Sequence, residues 1–70
     1  DKNGFDPHRI LKIDKEASQE AIRTAYLTLV REYHPDRFAS IDLPKEVHEY
    51  LTNMLRRINV AYDMVHANAA

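Results

Sequence analysis

Apolar side chains recur along this chain in two long stripes of helical period, and the segment between them is bracketed by prolines. From Ile22 the first stripe runs through Ala25, Tyr26, Leu29, Val30 and Tyr33. This i, i+3, i+4, i+7, i+8, i+11 pattern puts every member on one face of an α-helix. The second stripe runs through Val47, Leu51, Met54, Leu55, Ile58, Ala61, Tyr62 and Val65. Neither shows the two-residue alternation of a half-buried strand. An amphipathic helix gains its stability by covering its apolar face, so two such stripes in one short chain restrict it to helices packed on each other.

Local signals place the ends of the helices. Asp6 before Pro7 is a helix-start pair, since Asp accepts an orphan amide bond and proline's fixed φ suits the first helical position. A short helix is expected to run through about Lys12, carrying Ile10 and Leu11, with Ile13 just beyond and Asp14-Lys15-Glu16 as a polar link. Ser18 is the next N-cap, with Glu20 in the first turn where the helix dipole favours a negative charge. Pro35 disfavours helical geometry at His34, so the second helix ends at about Tyr33 and gives way to a loop, His34 to Leu43. Pro44 occupies a first-turn position, and the third helix continues to about His66. The expected fold is all-α, a short first helix on an antiparallel pair of longer ones with a functional loop at one end. Residues 1–5 are read as an N-terminal extension, 6–66 as the domain and 67–70 as a C-terminal tail.

Composition narrows the function. With 70 residues the chain is one domain at most, near the lower size limit for a self-supporting core, and has little volume for a buried active site. Ten basic residues against eleven acidic ones give a net charge of −1, so no global attraction to nucleic acid or to an anionic membrane is expected. No apolar run approaches the roughly 20 residues that cross a bilayer. The lack of cysteine removes thiol chemistry and fits a reducing compartment, which suggests a cytoplasmic or cytoplasm-facing domain. The abrupt start and small-residue end suggest a piece of a longer protein, whose membrane attachment the sequence leaves open. His8, His34, His48 and His66 form no i, i+4 pair, so no metal is expected. No nucleophile motif or glycine-rich phosphate loop accompanies them, so neither an enzyme nor a cofactor is expected.

What remains is His34-Pro35-Asp36, an imidazole and a carboxylate on either side of a φ-locked residue where a helix must stop. Alone, the tripeptide is an ordinary turn with a helix-ending histidine. In context it is more specific. Ala25-Tyr26, Leu29 and Tyr33-His34-Pro35-Asp36-Arg37, followed by Leu55, Ile58, Ala61-Tyr62 and Val65, resemble the J-domain family in residue type and spacing. Asp6, Ile10-Leu11, Ile13 and Ala17-Ser18 resemble that family's first helix and its link to the second, so the likeness covers about residues 6 to 66. Among J-domains the closest pattern is that found at the C-terminus of larger proteins.

The resemblance implies a co-chaperone module that docks its second helix and loop on an Hsp70 and stimulates ATP hydrolysis by that partner. Asp36 would meet a cation of the partner, His34 would be a hydrogen-bonding neighbour, and Pro35 would fix their orientation. Arg23, Tyr26, Leu27, Arg31 and Arg37 would be flanking contacts, and the isolated domain would be a monomer. The chain departs from the family in several places. Its second helix is electrically neutral, Leu27 and Thr28 stand where a basic pair is common, and Lys12 stands where glycine is typical. Two rivals predict otherwise. A helical nucleic-acid-binding module would use Arg56 and Arg57 on the long helix, against the neutral charge. A purely structural hairpin would tolerate replacement of His34 and Asp36.

Overall fold

A computed structural model describes residues 5–69 of the chain, the side chains of 67–69 excepted. Its elements are α1 (Pro7–Leu11), α2 (Gln19–Tyr33), one 3-10 turn (Pro35–Phe38) and α3 (Lys45–Ala69). Among the described residues there is no strand.

Each boundary follows from a local hydrogen bond. Asp6 is extended, and its Oδ1 accepts from the His8 N–H at 3.0 Å, with Pro7 following as the first helical residue. Partial burial pushes the Asp6 carboxyl up, but the amides of His8 and Arg9 and the charges of His8 and Lys15 together outweigh it and hold the group below its ordinary value. α1 closes with Lys12 in the left-handed region at φ 59°, ψ 44°. There the Lys12 N–H donates to the Arg9 carbonyl at 3.1 Å and the Ile13 N–H to the His8 carbonyl at 2.9 Å. These two bonds form a Schellman closure, which usually employs glycine. At α2 the Ser18 Oγ accepts from the Ala21 N–H at 3.1 Å. The helix stops at His34, whose extended backbone (φ −69°, ψ 129°) is the geometry that a following proline imposes.

The core lies where the three helices meet. Leu11 from α1, Ile22 and Leu29 from α2, and Ile58, Ala61 and Val65 from α3 form one buried cluster. Ile58 and Ala61 are fully enclosed. Tyr26 of α2 stacks on Tyr62 of α3 at 4.1 Å between centroids, and Tyr33 meets Tyr50 at 6.2 Å. Residue numbers rise on one helix as they fall on the other, so the pair is antiparallel. α1 lies across α3 and also touches α2.

The structure departs from the sequence expectations in four places. The loop His34 to Leu43 is partly ordered, because the 3-10 turn occupies its first half. Pro44 sits one position before the first residue of α3, where its carbonyl accepts from the amides of Val47 at 3.0 Å and His48 at 3.2 Å. α3 passes His66 and reaches Ala69. Val47, counted in the core stripe, is 38% exposed. The last difference follows from length. α3 has 25 residues and α2 has 15, about 37 Å against about 22 Å at the helical rise. The first turns of α3 therefore run past the end of α2, which leaves Val47 only partly covered. Of the segment read as an N-terminal extension, residues 1–4 lie outside the described residues, while Phe5 packs against the core. Of the segment read as a tail, Ala70 lies outside them too.

Candidate functional site

The corner between α2 and α3 is built almost entirely by residue 34. Its carbonyl accepts from the Arg37 N–H at 3.0 Å, and its imidazole Nδ1 accepts from the Asp36 N–H at 3.1 Å. Pro35 has no N–H to place. Both donors at the head of the turn are thus satisfied by His34, and the Asp36 carbonyl in turn accepts from Ala39 at 3.2 Å. An Nδ1 that accepts a hydrogen bond carries no proton, so the neutral ring keeps its proton on Nε2, an assignment made from the hydrogen-bond geometry.

The two polar groups of the tripeptide face water. The side chain of Asp36 is 91% exposed and that of His34 is 47% exposed, with Asp36 Oδ2 lying 3.8 Å from His34 Nδ1. Arg37 folds back over the end of α2. Its guanidinium donates to the Glu32 carbonyl at 3.5 Å, one of the acceptors that a helix end leaves unpaired, and lies 5.6 Å from the Phe38 ring centroid. Together Arg31, Glu32, His34, Asp36 and Arg37 line an open hollow of about 520 Å³. Two cations and two anions share it, so the hollow has no net sign but a definite pattern of charge. The hollow is open, and apolar atoms of these side chains form most of its wall while their charged groups stand at its rim.

The residues singled out from the sequence divide into three groups. Arg31, His34, Asp36 and Arg37 come together around the hollow, and Pro35, half-buried, sets their spacing. Arg23 and Leu27 are exposed on α2 at i, i+4 spacing with Arg31, forming a row that leads back from the hollow by about 6 Å per step. Tyr26 faces the other way. Its ring lies against Tyr62 with an interplanar angle of 16°, and its hydroxyl donates to Asn59 Oδ1 at 2.7 Å. The helix pair therefore accounts for most of its surface.

Glu32, Phe38 and Asn59 join this region without having been expected. Glu32 contributes a backbone carbonyl, which no side-chain pattern advertises. Phe38 directly follows Arg37, and that adjacency was the available signal. The arginine pair required by a nucleic-acid reading is split. Arg57 lies over the Phe5 ring at 6.0 Å, whereas Arg56 borders a surface shared with Lys45, His48, Glu49, Thr52 and Asn53. Among the described residues no three histidine, aspartate or glutamate side chains gather as a metal-binding group, and no helix is long and apolar enough to cross a membrane.

Comparison with known proteins places this chain in a family. Residues 6–69 match the family described as the DnaJ domain. The chain is 32% identical over 60 residues to the co-chaperone protein DjlA of Mannheimia succiniciproducens, covering 86% of this chain and 21% of that relative. It is 33% identical over 60 residues to the DjlA of Haemophilus ducreyi, with 86% and 21% covered. It is 35% identical over 60 residues to the DjlA of Shewanella oneidensis, with 86% and 23% covered. The chain thus spans about a fifth of the length of these curated relatives. No solved structure matches it.

Proposed function

This chain belongs to the DnaJ-domain family, and from that membership we propose that it binds an Hsp70 chaperone and stimulates its ATP hydrolysis through His34-Pro35-Asp36. It acts as the activator of another protein's ATPase and makes or breaks no bond itself. Asp36 meets a cation on the chaperone, and a charge-assisted contact of this kind gains strength as the two surfaces exclude water. Pro35 holds the carboxylate at a fixed angle to the imidazole. Arg31 and Arg37 flank the contact, and the row Arg23, Leu27 extends it along α2. Leu27 replaces charge with apolar surface there, so binding is less salt-dependent than for a basic α2. Tyr26 contributes chiefly by holding α2 to α3.

The observation that carries this reading is the exposure of Asp36. A carboxylate 91% exposed, standing on a turn whose Asp36 and Arg37 amides both end on His34, is presented outward. The test is single-turnover ATP hydrolysis by an Hsp70 with the wild-type chain or with Asp36→Asn. A hydrogen bond to a charged group contributes about 1.5–3 kcal/mol, so stimulation at limiting concentration should fall by roughly ten- to a hundredfold. Equal stimulation by both chains defeats the proposal.

A further inference from the structure

The two nitrogens of the His34 ring have different surroundings. Nδ1 points into the corner, 3.1 Å from the Asp36 N–H. Nε2 lies on the opposite edge of a half-exposed ring that borders the open hollow. We propose that His34 works in both directions at once: Nδ1 is a positioning group that caps the 3-10 turn and sets where the Asp36 carboxylate stands, while Nε2–H is a donor held out to an acceptor oxygen on the partner. The proposal rests on the chaperone reading and deepens it, since it gives the partner's surface a second requirement. Beside the cation that takes Asp36 there is a carbonyl or carboxylate that takes His34.

The physical case starts with the turn. It has four residues, its first lacks an N–H, and its next two amides both end on residue 34. Without the imidazole cap the Asp36 amide would turn to water, and the φ/ψ of Asp36 would be held on one side only. The carboxylate direction would spread accordingly. The cap also fixes the ring. Because acceptance at Nδ1 requires a lone pair there, the neutral ring offers its proton from Nε2 in one orientation, and a donor ordered before contact loses less entropy on binding.

Covalent geometry separates the two roles. The Oδ1 of asparagine is three bonds from Cα, as Nδ1 is in histidine, whereas the amide nitrogen of glutamine is four bonds away, as Nε2 is. His34→Asn therefore keeps the inward acceptor and loses the outward donor. His34→Gln does the reverse, and His34→Ala removes both.

The experiment has two parts. In the free chain, long-range nitrogen–proton correlations of the His34 ring should show the Nε2–H tautomer, and exchange of the Asp36 amide should be slow in the wild type and in His34→Asn. A cap is worth about 1 kcal/mol, so in His34→Gln and His34→Ala that amide should exchange about fivefold faster. An Nδ1–H tautomer, or equal amide protection in Asn and Gln, overturns the positioning role. With an Hsp70 present, His34→Asn should stimulate ATP hydrolysis about fivefold better than His34→Ala but less than the wild type. Stimulation by His34→Asn equal to the wild type overturns the donor role. The first part needs no chaperone. If its results hold while the wild-type chain stimulates no Hsp70, the partner reading and the donor role fall together, and the cap stands.

Discussion

Lys12 is a non-glycine residue with a positive φ, 59°, and its side chain crowds the following carbonyl at a cost of about 1 kcal/mol. The position tolerates this because two amides close the helix around it. Lys12→Gly should relieve the crowding and, after the added freedom of the unfolded chain is set against it, raise stability by up to about 0.5 kcal/mol. Chemical denaturation of both chains measures this, and a loss of stability would show that the lysine side chain contributes more than its backbone geometry costs. The sequence marked Lys12 as out of pattern but gave no sign of whether the helix would bend to avoid the strain. Val47 teaches the converse. Periodicity states which way a side chain points around its helix, but whether a neighbour waits there depends on the relative lengths of two helices, and α2 is too short to reach it.

Helix ends were legible wherever the signal was a residue capping its own backbone, as at Asp6, Ser18 and the His34-Pro35 stop. The 3-10 turn escaped because its cap is an imidazole, and Pro-Asp otherwise signals an irregular bend. At the seam between α2 and α3, the Tyr33 phenol is pushed above its ordinary value by burial and then by the neighbouring Tyr50. A raised pKa means that the fold favours the neutral phenol. The associated stability is present in full below pH about 10 and is lost as pH rises through the folded value. Following the Tyr33 ring by NMR during alkaline titration should show a midpoint above the ordinary one, moving down in Tyr50→Phe. An unchanged midpoint in that variant would mean that burial and the Glu32 charge set it without Tyr50.

The whole molecule hangs from a small core, and its class and helix order could be read from two stripes because so few arrangements bury both. Ile58 is fully enclosed within the cluster that all three helices share. Ile58→Ala should cost about 2–5 kcal/mol, a large part of what so short a chain possesses. The melting temperature should drop by at least about 8 °C, and a smaller drop would show that the helices close over the gap.

The open corner lies outside this ledger. Because the Asp36 carboxylate stands in water, 3.8 Å from the half-exposed His34 ring, its replacement should leave an intact, well-behaved molecule, and on the proposed function one that has gone silent. Assays of yield, solubility or heat resistance are blind to such damage. On that proposal, a harmful variant here passes every test of folding and is found only when stimulation of the partner is measured.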